Sequence, residues 1–149
     1  MYKHILVPSD GSAAAMAGVD HALELAKKHA SKVTAITVTQ PMGGQFAFAS
    51  DLWSPDEAEI KAFDEEQAQN ARQILDPIRS KAQALGIPIE TIHIPWRLAA
   101  AALCEAATEQ ECSLIVMSSH GRTGMNRVLL GSQTAEVVSR AKIPVLVVR

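Results

Sequence analysis

Cysteine is scarce in this chain: there are only two, Cys104 and Cys112, both in apolar or helical context and without metal-ligand spacing. That pattern argues against a disulfide scaffold and reads as two buried, reduced thiols. Positive charge shows no excess either, with 14 Lys and Arg against 16 Asp and Glu, a net charge of −2 and a pI near 6.2. An extended basic surface for nucleic acid or anionic lipid is thereby disfavoured. No apolar run approaches the ~18 residues of a membrane span, and no basic stretch followed by an apolar run opens the sequence. A cytoplasmic protein with neither nucleic acid nor membrane as partner is expected. His4, His21, His29 and His93 are scattered without metal spacing, so no metal site is expected. Internal repeats and low-complexity tracts are lacking too.

What is present is a chain of 149 residues, 48% of them hydrophobic, enough for one domain over 1–149 with a core of its own. The apolar run Ile5-Leu6-Val7 stops at the turn residues Pro8-Ser9-Asp10-Gly11-Ser12, which predicts a buried strand over 3–8. From Ala13 to Ala30, small and apolar residues recur at helical spacing and form a smooth stripe suited to close packing on a sheet. Val33 to Thr39 is β-branched and reads as a second strand, ended by Pro41-Met42-Gly43-Gly44.

Ser54-Pro55-Asp56-Glu57 predicts the start of a long helix, with Ser54 as N-cap and Pro55 at the first helical position. Pro77 removes an amide donor and predicts a kink or split near 73–76. A third strand is predicted over 87–94, an alanine-rich helix over 99–110, a fourth strand over 113–117, a last helix over 132–140 and a closing strand over 143–148. Alternation of strands and helices predicts an open, doubly wound parallel sheet with helices on both faces.

In such sheets ligands bind beyond the carboxyl ends of the strands, where the winding reverses. Two strand ends are dense in polar residues and glycine: Pro8-Ser9-Asp10-Gly11-Ser12, and Ser118-Ser119-His120-Gly121-Arg122-Thr123-Gly124. The second leads through Gly131-Ser132 into a helix, whose amides and dipole favour an anion, phosphate being the natural one. It carries no lysine at the Walker position and is not a G-x-G-x-x-G turn after the first strand. Asp10 suits both a helix cap and a ligand contact. His120 is read as a loop histidine in a local hydrogen bond rather than a catalyst. Arg97 is a further candidate for phosphate. Phe46, Phe48 and Trp53 make the loop over 40–53 unusually aromatic, as a lid or as a cover for the core or a subunit contact, and Trp96 shares that ambiguity. The acidic run from Asp56 to Glu66 reads as a helix start and a solvated face.

Ser118-Ser119-His120-Gly121, nine residues, then Gly131-Ser132 resembles the G-x-x-G, nine residues, G-[ST] signature of ATP-binding universal stress proteins, with serine at the first glycine. The similarity extends to the opening Ile5–Ser12, to Ser113–Met117 and to the closing Pro144–Val148. The resemblance implies a sheet ordered 3-2-1-4-5, a nucleotide across strands 1 and 4, and a homodimer paired through the last strand, 144–148, with a tetramer as the larger option. It implies that Pro8, Asp10 and Val38 surround adenine and ribose, with Met117 and Ser118 beneath and Ser9 in the same turn. Gly121, Gly131, Ser132 and Gln133 would hold phosphates, with His120 and Arg122 alongside. The function so implied is a stress-response regulator that binds ATP or AMP, with or without Mg²⁺, and contacts an unidentified protein partner. Slow Mg²⁺-dependent ATP hydrolysis and a dimeric scaffold without nucleotide are the alternatives.

Overall fold

The computed structural model describes residues 1–43, 54–120 and 130–149. Its elements, in chain order, are β1 (His4–Pro8), α1 (Ala13–His29), β2 (Lys32–Val38), α2 (Glu57–Ala84), β3 (Ile89–Ile94), α3 (Ala99–Glu109), β4 (Leu114–Ser118), α4 (Ser132–Arg140) and β5 (Val145–Val148). All strand pairs are parallel and the order is β3-β2-β1-β4-β5. The chain therefore starts in the middle of the sheet, winds outward through β2 and β3, then crosses back to β4. The winding reverses between β1 and β4.

The period-two geometry of a strand divides the core into two layers. Ile5 and Val7 of β1 face the layer formed with Val19, Leu23 and Ala26 of α1 and Leu75, Ile78 and Ala82 of α2. Leu6 faces the other layer, with Leu103 and Ala107 of α3 and Val137 of α4. Complete burial of each large aliphatic side chain contributes about 1.5–3 kcal/mol, and Ile5, Leu6, Val7, Ile36, Ile115 and Val116 are all fully buried. Cys112 is buried and Cys104 half-buried, and both are free thiols.

The smooth stripe on α1 has a specific use at Gly18. A Cβ there would lie 3.1 Å from the amide nitrogen of Ser118, so the helix backbone rests almost directly on the end of β4. Ser12 caps α1 by accepting from the Ala15 amide at 3.1 Å, while Asp10 accepts from the Ser12 amide at 2.9 Å. The expected alternative of Asp10 as helix cap is thus corrected: Asp10 shapes the turn that presents the cap.

The start of α2 also differs from expectation. Asp56 is the N-cap, and it and Glu59 form a reciprocal capping box. The carboxylate satisfies the Glu59 amide while Glu59 satisfies that of Asp56, so the helix opens two residues later than Ser54 and Pro55 predict. The helix continues through Pro77 rather than splitting. Its buried residues, Ala71, Leu75, Ile78 and Ala82, all lie in the second half. Pro88, expected inside the third strand, precedes β3, yet its carbonyl still accepts from Val33 at 2.9 Å. Among the described residues, no helix is long and apolar enough to cross a membrane.

Candidate functional site

At the carboxyl ends of β1 and β4 the structure contains a cavity of about 300 Å³, near the lower limit for small-molecule sites. From β1 and its turn come Pro8, Ser9 and Asp10; from β2, Ile36 and Val38; from β4 and the residues beyond it, Met117, Ser118 and His120. The start of α4 contributes Gly131, Ser132, Gln133 and Thr134. Ten of the residues singled out from sequence thus meet in one cavity: Pro8, Ser9, Asp10, Val38, Met117, Ser118, His120, Gly131, Ser132 and Gln133. Gly121 and Arg122 lie outside the described residues, as does the aromatic segment holding Phe46, Phe48 and Trp53.

The polar groups divide into those that build the mouth and those turned to other uses. The Ser118 hydroxyl donates to the carbonyl of His120 at 2.6 Å. The Gly131 amide donates to the Ser119 carbonyl at 2.9 Å, and the Ser119 amide to that of Val148 at 2.8 Å. Thr134 donates its hydroxyl to the carbonyl of Ser118 at 3.0 Å. The Gly131 and Thr134 bonds lash the first turn of α4 to the end of β4. The glycine at 131 is required by space rather than by dihedral freedom. Its φ of −57° suits any residue, but a Cβ would lie 2.9 Å from the Ser119 carbonyl oxygen. Gly131 and Ser118, expected as direct ligand contacts, therefore also serve as parts of the frame.

The α4 terminus has no side-chain cap, and the Ser132, Gln133 and Thr134 amides precede the first intrahelical donor, the Ala135 amide, which bonds to the Gly131 carbonyl. Such a terminus favours a negative group. Ile36, Val38, Leu103 and Met117 supply an apolar wall, and Asp10 is the one formally charged side chain among the described residues of the lining. The His120 ring nitrogen Nδ1 lies 2.9 Å from the Ser119 hydroxyl, which is the local hydrogen bond expected for it, while Nε2 is buried without a hydrogen-bond partner among the described residues.

Other candidates fall elsewhere. Arg97 pairs with Glu105 at the surface and does not line the cavity. Trp96 acts as a clasp on α2: its indole donates to Asp64 at 2.5 Å and its ring meets Phe63 edge-on. It holds this place at a φ of 59°, unusual for an aromatic residue. His93 is bonded to Thr39 at 2.9 Å. Burial lowers its pKa, against the opposing charge of Asp64.

Sequence reasoning missed Ala15, Ile36, Ala99, Leu103 and Thr134. The first four are ordinary small or aliphatic core residues with no polar signature. Thr134 was discoverable only as the hydroxyl two positions into a helix that follows a phosphate-like loop.

Comparison with known proteins agrees with this fold. The universal stress protein family model matches residues 1–149. A universal stress protein of Methanocaldococcus jannaschii is 31% identical over 149 residues, spanning all of this chain and 83% of that protein. The universal stress protein UspA from Lactobacillus plantarum superposes with a TM-score of 0.78 at 27% identity, over 99% of this chain and 98% of that one. A universal stress protein in complex with cAMP superposes with a TM-score of 0.67 at 26% identity, over 99% of this chain and 97% of that one. With its match over the full length and its sheet order of β3-β2-β1-β4-β5, the chain belongs to the universal stress protein family.

Proposed function

We propose that this protein is a cytoplasmic stress-response regulator that binds an adenine nucleotide, ATP or AMP, in the cavity between β1 and β4. The observation that carries the reading is the meeting of an apolar slot, a carboxylate and an uncapped helix terminus in one cavity at the point where the winding reverses. Each part has a matching ligand part. Ile36, Val38, Leu103 and Met117 suit the faces of a planar base. Asp10 accepts from ribose hydroxyls or an exocyclic amine. The first turn of α4, with Ser132 and Gln133, donates to phosphate. A related protein in complex with cAMP supports the same class of ligand.

The protein acts in this reading as a homodimer paired through β5. That strand bonds only to β4 among the described residues and leaves its outer ladder open, and an open edge favours pairing. Ligand occupancy would then alter the contacts of the dimer with a protein partner. Titration calorimetry of nucleotide-stripped protein with ATP and AMP, with and without Mg²⁺, tests the binding. Saturable binding below millimolar ligand is expected, and none at millimolar ligand refutes the reading. Mass spectrometry of heat-released ligand from fresh protein identifies the native nucleotide, and light scattering tests the dimer.

A further inference from the structure

Among the described residues, three other than glycine have a positive φ: Ala30 at 53°, Trp96 at 59° and Glu111 at 51°. Ala30 and Glu111 follow the ends of α1 and α3, where a left-handed residue commonly stops a helix. Trp96 has no such reason. It stands in the corner between β3 and α3, and a bulky side chain keeps that conformation only where its surroundings impose it. What imposes it belongs to another element. The Asp64 carboxylate accepts from the indole at 2.5 Å, and the Phe63 ring lies 5.7 Å away between centroids, both in the first half of α2.

The same corner frames the cavity. Arg97 donates its amide to the Thr39 carbonyl at 3.2 Å and pairs through its side chain with Glu105 of α3. Thr39 in turn donates its amide to the Ile94 carbonyl at 3.0 Å and bonds through its hydroxyl to His93 at 2.9 Å. Val38, beside Thr39, and Ala99 and Leu103 of α3 line the cavity, whereas no described residue of α2 does. The corner therefore joins two cavity walls to a helical segment outside the cavity. With the clasp shut, the φ of Trp96 is fixed and the two walls share a tie through Arg97 and Thr39. With it open, the corner loses the support for that φ.

Resting on the adenine-nucleotide reading, we propose that the Trp96 corner couples the cavity to the first half of α2: nucleotide seated against Val38, Ala99 and Leu103 holds the clasp shut, and opening the clasp loosens the nucleotide. A ligand that needs both walls binds the shut state better and shifts the population toward it. The effect is reciprocal by linkage. Asp64 and Trp96 are thus positioning residues, and the first half of α2 is the part of the surface that changes with occupancy.

Lysine-specific proteolysis read by mass spectrometry, with AMP calorimetry beside it, tests this on the full chain. Lys61 lies in the first half of α2 and Lys81 in the second, and a helical lysine is cut only when its segment opens. Saturating AMP is expected to slow cutting at Lys61 by about fivefold or more. A ligand without this coupling slows only cutting that waits on global unfolding, so an unchanged Lys61 rate overturns the inference. Asp64→Ala removes the indole's acceptor at an exposed position outside the cavity. It is expected to speed cutting at Lys61 and to weaken AMP by about fivefold or more, and Asp64→Asn, which keeps an acceptor, to restore most of both. Wild-type AMP affinity or wild-type Lys61 cutting in Asp64→Ala, or Asp64→Asn no better than Asp64→Ala, overturns the inference and leaves the nucleotide reading intact. Failure of wild type to bind AMP overturns both.

Discussion

The two ends of the sheet use similar residues to opposite ends. At the lower end, His4 and Thr34 bond inside the core at 2.8 Å, and Ser113 exchanges hydrogen bonds with the His4 backbone. At the upper end, Ser118, Ser119, His120 and Thr134 also bond to one another and to nearby backbone, but around a cavity. A polar cluster that closes on itself stabilises the fold; one that closes around a cavity frames a site. The comparison predicts that changes at the lower end alter stability alone, whereas changes at the upper end alter ligand affinity as well.

The sharpest way to break this contrast is Gly131→Val. Its Cβ meets a backbone carbonyl that cannot swing aside, so a loss of about 1–3 kcal/mol in stability is expected. AMP affinity should fall by about tenfold or more, measured by urea denaturation and calorimetry. Unchanged affinity would mean that the α4 terminus is not part of the ligand site. Thr34→Val is the matching change below. It leaves a second nitrogen of His4 unpaired at a cost of about 1–3 kcal/mol, with AMP affinity unchanged. Weaker binding in that variant would show the ends to be coupled.

Acid sharpens the contrast further. Burial, and next the charge of Lys32, lower the His4 pKa below the ordinary 6.5, against smaller opposing effects of the Gln110 backbone and Glu90. The unfolded chain then binds the proton more readily, so this contribution to stability is present above about pH 6.5 and is lost as pH falls from there toward the folded value. His93 acts in the same direction. The urea midpoint of wild type should decline as pH falls below about 6.5, and His4→Gln should flatten that decline. A wild-type slope retained in His4→Gln would remove His4 as its source.

The smallest effect concerns the thiols. Burial pushes the Cys112 thiol up to about 11 and also raises that of Cys104. Cys112 should resist iodoacetamide in the native protein and react in step with global unfolding, while half-buried Cys104 reacts first. Equal native rates at the two positions would show that the core around Cys112 opens locally.

Much of this was legible in the sequence, because the signals were short-range. The apolar runs of β1 and β4 and the start of α4 at Ser132 were found to within a residue. The capping error was also local: Pro55 made Ser54 attractive, but the box that forms is the reciprocal pair Asp56 and Glu59, two residues on. The strand order rested on family resemblance, since nothing in the spacing of strands says which are neighbours. Within the site, polar residues announced themselves and the apolar wall did not. Ala99 and Leu103 carry the same pattern as any core-facing turn, and only the crossover that brings α3 over β2 makes them part of a cavity.

The long helix α2 has a kinetic consequence. Its second half is held by Ala71, Leu75, Ile78 and Ala82 in the core, whereas its first half relies on the capping box and the Trp96 clasp. One uninterrupted helix should therefore exchange its amide hydrogens as two populations, divided near residue 70. The slow half reports on unfolding of the whole molecule, and the fast half opens on its own.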